Sequence, residues 1–114
     1  MKILVTGATG KVGQKFLDQL ICTEALNDAS AVALCHNRLL EETDRIKVVK
    51  GSIANTDTVD VAMKGVTHVV HLATCKETPT DVMDVTVKGL FWLLEACRNK
   101  SNFQQFILIG GDAA

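Results

Sequence analysis

The sequence predicts an α/β domain built on a doubly wound, parallel sheet of five strands in the order 3-2-1-4-5. Short apolar runs without polar alternation, typical of strands buried on both faces, recur along the chain. Helical spacings of apolar residues or short polar loops separate these runs. The first run ends at glycines that stand three residues apart, directly before a helical segment. In a sheet of this order, a ligand crosses the carboxyl edge between strands 1 and 4.

Length and composition limit the function classes. The 114 residues are enough for one domain with a core, and the net charge of −1 gives no electrostatic case for nucleic acid or an anionic membrane. No apolar run approaches the roughly 18 residues that cross a bilayer, and the opening run is too short for a signal peptide. We therefore expect one cytoplasmic domain over residues 1–114, with no nucleic-acid or membrane partner.

The cysteines and histidines predict structural rather than metal-binding roles. The cysteines lack any C-x-x-C spacing, so reduced core thiols are favoured over two disulfides; they are Cys22, Cys35, Cys75 and Cys97. His68 and His71 lie three residues apart on a predicted strand and would point to opposite faces. Structural histidines are therefore favoured over a metal site.

The glycine turn near the start of the chain is the most informative stretch. Gly7 permits a sharp turn, Gly10 leaves room for a pyrophosphate, and Gly13 lets the following helix sit close on the strand. The N–H groups of residues 10–13, with the positive end of the helix dipole behind them, would form an anion site. A Walker-type loop does not fit, since Val12 stands where Ser or Thr should hold magnesium. An ordinary turn without a ligand is the alternative.

The first part of the chain predicts strands at Ile3–Val5 and Ala31–Cys35 around one helix. The helix is expected from Lys11 to about Leu26, and it ends in the polar loop 27–30. Its helical spacing is carried by Val12, Phe16, Leu20 and Ile21. The two strands should therefore lie parallel in the sheet.

The end of the second strand predicts the choice of dinucleotide. An acidic residue about twenty positions beyond the glycines would accept hydrogen bonds from the adenosine ribose and select NAD. Here His36, Asn37 and Arg38 stand at that point. Because no carboxylate repels a 2′-phosphate and Arg38 could neutralise one by a bidentate contact, NADP is favoured over NAD. A solvated loop charge is the alternative for Arg38, and Lys11 adds a second cation near the phosphates.

The middle of the chain predicts a third strand at Ile46–Lys50 and a short helix at Asn55–Lys64. Asn55 or Thr56 would cap this helix, and Asp57 lies near its positive end. The helix should therefore start stably although it is short.

The last part predicts strands at Val66–Leu72 and Phe103–Ile109 around a long helix. Thr78–Asp81 is a good helix start, because it offers a hydroxyl cap, a proline at the first position and an acid in the first turn. The core-facing stripe of this helix consists of Val82, Val85, Gly89, Leu93 and Ala96. These elements complete the five-stranded order.

Three segments resemble the extended and atypical short-chain dehydrogenase/reductases, the group called NAD-dependent epimerase/dehydratases. They are T-G-x-x-G-x-x-G over residues 6–13, H-L-A-T over residues 71–74, and the helical G-x-x-x-L-L-E-A-C over residues 89–97. The resemblance implies a Rossmann fold, with residues 1–114 as its N-terminal, dinucleotide-binding part. It also implies that the substrate portion is absent and that the sheet stops before strand 6.

The resemblance also implies cofactor contacts. Ser52 and Ile53 follow a glycine where family members carry an aspartate against the adenine, and the Ser52 hydroxyl or the Ile53 amide can still bind that edge. The H-L-A-T segment leaves room for ribose and pyrophosphate. The candidate cofactor-binding residues are Gly7, Ala8, Thr9, Gly10, Lys11, Val12, Gly13, His36, Asn37, Arg38, Ser52, Ile53, Leu72, Ala73 and Thr74.

Two positions are candidate catalytic residues by the same resemblance. Thr86 stands where the family has an asparagine that helps to hold the proton relay. Asp112 is the polar residue near the position of the family serine that polarises the reacting hydroxyl or carbonyl; an exposed carboxylate is the alternative. The Tyr-x-x-x-Lys pair is not in the chain, which has no tyrosine, and no metal ligand is expected.

The resemblance implies that the intact protein transfers hydride between nicotinamide and a C–O centre of a small-molecule substrate, with a nucleotide sugar as one candidate. Residues 1–114 alone should bind cofactor weakly and catalyse nothing. A non-catalytic NAD(P)-sensing or regulatory protein is the alternative, since Gly111 and Thr86 replace the family's serine and asparagine. A plain domain without a ligand is a further alternative, and a homo-oligomer stays open.

Overall fold

The computed structural model describes residues 1–35, 40–72, 88–98 and 102–108. One parallel sheet of five strands has the order β3-β2-β1-β4-β5. The strands are β1 (Lys2–Thr6), β2 (Ser30–Cys35), β3 (Ile46–Lys50), β4 (His68–His71) and β5 (Gln105–Leu108). The predicted fold class and strand order are therefore confirmed.

The helices are α1 (Lys11–Cys22), a 3₁₀ turn (Glu24–Leu26), α2 (Thr56–Ala62) and α3 (Leu90–Arg98). The prediction of a single helix to Leu26 was wrong, because Thr23 is extended (φ −92°, ψ 115°) and its hydroxyl donates to the Gln19 carbonyl at 2.6 Å. Side-chain bonding of this kind competes with the continuing helix. The predicted helix start at 78–81, with Val82 and Val85, lies outside the described residues.

The sheet is covered on both faces, as continuous apolar strands require. Ile3 and Val5 face the α1 side with Leu17 and Leu20, whereas Leu4 faces the side covered by α2 and α3. The second cluster also contains Val59, Ala62, Met63, Val69, Leu93 and Cys97. The carboxyl edge of the sheet therefore lies between two packed layers, one on each face.

The inward face of α1 differs from the prediction. Val12 and Ile21 are 63% and 42% exposed, whereas Gly13, Leu17 and Leu20 are buried. Because each helical residue is turned about 100° from the last, burying Gly13 rotates Val12 to the solvent. The contact between Gly13 and the preceding turn therefore sets the orientation of the whole helix.

Arg45 closes the other end of α1. Its Nε donates to the Ala29 carbonyl at 3.0 Å, and Nη2 donates to those of Leu26 at 2.6 Å and Leu20 at 3.2 Å. Nη1 lies 3.4 Å from the Ile21 carbonyl. The guanidinium thus satisfies carbonyls that a helix end leaves without intrahelical partners, and its charge opposes the negative end of the dipole.

The remaining predictions on elements and cysteines have mixed outcomes. Asn55 caps α2, as one of the two alternatives had it. Cys35 and Cys97 are buried and form no disulfide, but Cys22 is exposed, so its assignment to the core was wrong; Cys75 lies outside the described residues. No helix among the described residues has both the length and the hydropathy that crossing a bilayer requires.

Candidate functional site

The switch point of the sheet, called here the crevice, is the carboxyl edge where β1 and β4 end side by side. β1 is hydrogen-bonded to β2 on one side and to β4 on the other, and all these pairs are parallel. The carboxyl ends therefore meet at one edge, with α1 on one face and α2 and α3 on the other. A dinucleotide crosses an open α/β sheet at such a switch point.

Gly7 makes the turn that leaves β1. Its φ is +67°, a conformation that favours glycine, and its carbonyl accepts the Gly10 amide at 3.1 Å. Ala8, inside the turn, is fully buried against the α1-side core. The predicted sharp turn is confirmed.

Gly13 lets α1 sit directly on that turn. A Cβ at Gly13 would overlap the Gly7 carbonyl oxygen and would lie 2.7 Å from the Cα of Ala8. The predicted close packing is confirmed, although the helix rests on the turn residues rather than on β1 itself. The first amides of α1 are thereby held at the mouth of the crevice.

The start of α1 is bare. Gly10, at the N-cap, has φ −74° and ψ 170° and offers no side-chain cap, and the first turn contains no acidic residue. The expectation of free amides at residues 10–13 was wrong at Gly10, whose N–H bonds to Gly7. Within the described part of the chain, the amides of residues 11–13 have no acceptor. With the helix dipole behind them, they are suited to an anion.

Among the described residues, the space beside these amides is open. A Cβ placed on Gly10 would meet only the Gly7 carbonyl oxygen there, at an ordinary 3.4 Å. Gln14 holds the neighbouring loop, since its Nε2 donates to the Thr9 carbonyl at 2.7 Å. Lys11 is exposed at the same end of the helix. The described residues therefore offer an anion both room and positive charge at this end of α1.

A buried polar pair forms the floor of the crevice. Thr6 is 0% and His71 4% exposed, and the Thr6 Oγ1 lies 2.7 Å from the His71 Nδ1. The Leu72 amide donates to the same Oγ1 at 3.0 Å and lies 3.2 Å from the Thr6 carbonyl. The pair ties the exit of β1 to the exit of β4. It also occupies the Leu72 amide, so Leu72 offers a ligand its side chain and carbonyl only.

Burial lowers the pKa of His71 below its ordinary value, because the imidazolium would lose its hydration. Its ring packs at a tilt against Phe106, with the ring centroids 6.2 Å apart. His71 is therefore neutral at neutral pH. Sequence reasoning missed the partnership with Thr6; a polar residue at the last position of each of two adjacent strands was the available signal.

His68 belongs to a separate contact. Its Nδ1 lies 2.7 Å from the Thr67 Oγ1, at the start of β4 rather than at the crevice. Successive residues of a strand alternate faces, so His68 and His71 do point to opposite faces, as predicted. Among the described residues no cluster of His, Cys, Asp or Glu could hold a metal ion.

Ser52 and Ile53 follow β3 at the same edge. The Ser52 hydroxyl accepts the Ala54 amide at 3.0 Å, and the Gly51 amide donates to the Cys35 carbonyl at 2.8 Å. Ile53 is buried in the core between α2 and α3, which leaves its backbone for a ligand. The structure thus places both residues at the same carboxyl edge, next to β2 rather than to β1, and a cofactor contact by either stays a prediction.

Several predicted site residues lie outside the described residues. These are His36, Asn37, Arg38, Ala73, Thr74, Thr86 and Asp112. The described candidates fall into two groups: the glycine turn and Leu72 at the β1–β4 boundary, and Ser52 and Ile53 beyond β3. This separation matches a ligand whose diphosphate and adenine lie at different points along one edge.

Comparison with known proteins gives a family match and several relatives. Residues 4–109 match the model of the 3-beta hydroxysteroid dehydrogenase/isomerase family. UDP-glucose 4-epimerase of Rickettsia akari is 27% identical over 120 aligned positions, which cover 93% of this chain and 35% of the relative. The chain thus spans about a third of the length of this curated relative.

Solved structures share the fold over nearly the whole chain. Uronate dehydrogenase from Agrobacterium tumefaciens superposes with a TM-score of 0.83 at 20% identity, over 96% of this chain and 40% of that one. A short-chain dehydrogenase/reductase superfamily protein from the same organism, solved with bound NAD, gives a TM-score of 0.73 at 26% identity, over 95% and 32%. These similarities agree with the sheet and the crevice described above.

Proposed function

The chain belongs to the 3-beta hydroxysteroid dehydrogenase/isomerase family, and on this premise we propose that it forms the NAD(P)-binding part of an oxidoreductase or epimerase. One observation carries the proposal more than any other. The first helix starts without a side-chain cap, directly after a turn in which Gly7 has a positive φ, and the amides of residues 11–13 have no acceptor among the described residues. Bare amides at a helix start are suited to a phosphate.

The diphosphate of the cofactor would lie against these amides. Gly10 leaves room beside them, and Lys11 adds a positive charge. Val12 would contribute through its amide, because its side chain is exposed to solvent. Ala8 and Thr9 shape the turn below. Leu72 follows β4 on the opposite side of the crevice, and Ala73 and Thr74 come next in the sequence.

The adenosine end would extend toward β2 and β3. Ser52 and Ile53 stand at the end of β3, and His36, Asn37 and Arg38 follow β2 in sequence. The absence of a carboxylate at 36–38 and the presence of Arg38 support NADP over NAD. One structural neighbour was solved with bound NAD, which is the competing choice.

The intact protein would act on a C–O centre. The nicotinamide, when bound, supplies the hydride donor or acceptor, while the residues of this chain bind and orient it. Relatives named as UDP-glucose 4-epimerases support a nucleotide sugar as the substrate. Thr86 and Asp112 remain the candidate catalytic residues in the part not described. The relatives reported above are enzymes by name, so the sensor alternative gains no support from them.

A titration with NADH and NADPH, followed by amide NMR shifts, tests the binding proposal. We expect the largest shifts at the amides of residues 11–13, with smaller shifts at Ser52 and Ile53. Absence of binding by both dinucleotides, or shifts confined to the opposite edge of the sheet, would contradict it. Because NMR follows weak complexes, the test does not depend on tight affinity.

The choice of dinucleotide has its own test. Arg38→Ala should weaken NADPH binding about tenfold and NADH binding much less, because only the former carries the 2′-phosphate that Arg38 would neutralise. Lys50→Ala, at the exposed end of β3, serves as a charge-matched control. An equal loss for both dinucleotides removes Arg38 from the phosphate contact.

A further inference from the structure

We propose that Gly89 is a positioning residue for the adenine end of the cofactor, acting through Ile53. The inference rests on the proposed function, since it concerns how one end of that site is held. It depends on a contact between the start of α3 and the loop formed by residues 51–54, which connects β3 to α2 and is called here the adenine loop.

The contact allows no side chain at Gly89. A Cβ there would overlap the Cδ1 and Cγ1 atoms of Ile53 and would lie 3.3 Å from its Cβ. Lys88 and Gly89 directly precede α3. Ile53 is 5% exposed, so its side chain fills the space that the glycine leaves. Moving the helix start would therefore move Ile53.

The opposite side of the adenine loop is equally close to α2. Gly51 has φ +154°, and a Cβ there would lie 2.5 Å from the Thr58 side chain. Two glycines thus allow the loop to be held between α2 and α3. A side chain at Gly51 or at Gly89 would displace the backbone of the adenine loop.

Hydrogen bonds fix the conformation of the loop. The Asn55 amide donates to the Ser52 carbonyl at 3.0 Å, and the Ala54 amide donates to the Ser52 hydroxyl at 3.0 Å. The Ser52 hydroxyl keeps its own proton for donation, and no described residue accepts it. That O–H and the Ile53 amide are suited to the acceptor nitrogens of an adenine edge.

Displacement of this loop should affect adenine recognition selectively. Hydrogen bonds weaken steeply when donor and acceptor move by a fraction of an ångström or lose their alignment. The amides at the start of α1 belong to another element and would stay in place. Adenosine binding should therefore respond to Gly89, whereas diphosphate binding should not.

Titrations with ADP and with inorganic pyrophosphate separate these two ends of the site, and amide NMR measures both affinities. We expect Gly89→Ala to weaken ADP about tenfold and to change pyrophosphate by less than roughly twofold. Adding Ile53→Ala, which removes both overlapping atoms, should restore most of the ADP affinity to the double variant. Because a general loss of structure would lower both affinities, an unchanged pyrophosphate affinity distinguishes positioning from a purely structural role.

Gly65→Ala is the matched control, since Gly65 has φ +71° and lies at the far end of α2, where a Cβ would meet only the Lys2 side chain at 3.7 Å. It should lower stability and leave both affinities unchanged. Equal loss of ADP and pyrophosphate in Gly89→Ala, unchanged ADP, failure of that variant to fold, or absence of rescue overturns the inference. If wild-type protein binds neither probe, the proposed function itself fails.

Discussion

The two helices that follow β1 and β3 begin in opposite ways. At α2, the Asn55 side chain accepts the amides of Asp57 at 2.9 Å and Thr58 at 3.2 Å, and Asp57 places an acid in the first turn. At α1, Gly10 provides no such cap and no acid follows. An asparagine cap contributes about 1 kcal/mol over alanine, so the chain seals one helix start and leaves the other open.

The lack of capping in α1 is confined to its first turn. Its other end is closed by the Arg45 guanidinium, which reaches the carbonyls of Leu20 and Ile21. The helix thus has its negative end matched by a cation and its positive end unmatched. This asymmetry supports the proposal that an external anion is the partner of the positive end.

The largest effect is expected at Gly13, where the start of α1 packs against Gly7 and Ala8. Gly13→Val should lower the free energy of unfolding by about 3 kcal/mol, because the added atoms overlap Gly7 and Ala8. It should also abolish NADPH binding, since the amides move away. Urea denaturation and fluorescence titration measure the two effects.

Gly10→Ala is the control for this change, because its Cβ meets only the Gly7 oxygen at 3.4 Å. Its loss of stability should stay within about 1 kcal/mol, the cost of alanine at an N-cap. A Gly13→Val protein as stable as wild type would show that the start of α1 can shift freely. Gly13 would then not hold the bare amides in place.

The closed end of α1 gives the next effect. Arg45→Lys should lower the free energy of unfolding by about 2 kcal/mol, because an ammonium group cannot reach the same set of carbonyls. Urea denaturation measures it. Arg98→Lys is the matched control, since Arg98 forms an exposed pair with Glu95 and should change stability by less than about 0.5 kcal/mol. Equal effects would remove the special role of Arg45.

A side-chain cap added to α1, like the Asn55 cap of α2, removes the difference between the two helix starts. Gly10→Asp should weaken NADPH about tenfold, because its carboxylate would accept the bare amides and repel the diphosphate. Stability should change by only a few tenths of a kcal/mol, since glycine and aspartate differ little as caps. The titration is run beside a urea denaturation of the same variant.

Two further variants test this interpretation. Gly10→Asn adds a cap without a charge, so it should weaken binding less than aspartate does. Asn55→Ala opens α2 instead, at a cost of about 1 kcal/mol in stability and with pyrophosphate affinity unchanged. Wild-type NADPH affinity in Gly10→Asp would place the diphosphate elsewhere.

The smallest effect is expected at His71, in the buried pair that it forms with Thr6. His71 is buried neutral with a lowered pKa, so below its ordinary pKa the unfolded chain binds the proton more readily than the folded one. Stability should therefore fall as the pH drops through the range near 6.5. His71→Asn, which keeps an acceptor for Thr6, should flatten this decline. An unchanged pH dependence would assign it to other groups.

The sequence predicts what depends on neighbours along the chain. The five strands, the turn at Gly7 and the cap at Asn55 each follow from local periodicity or from one residue in its immediate context. The glycine spacing likewise predicts bare amides at the start of α1, and the amides of residues 11–13 have no acceptor among the described residues. This local information is sufficient for the fold class and for the geometry of the glycine turn.

The missed features depend on contacts between distant segments. The Thr6–His71 pair joins residues 65 apart in sequence, and Arg45 reaches back 25 residues to Leu20. Neither spacing has a periodic signature. Val12 is likewise exposed because Gly13 packs against the turn and so sets the rotation of α1. Helical spacing alone does not determine that rotation.

The position of Arg45 has a consequence for how the domain comes apart. One guanidinium touches the last turn of α1, the 3₁₀ turn and the residue before β2, while its own backbone amide lies directly before β3. None of these segments can loosen alone without breaking a bond to the same group. Fraying of one is therefore coupled to the others, and slow amide exchange in this corner should follow the opening of the entire sheet rather than local breathing.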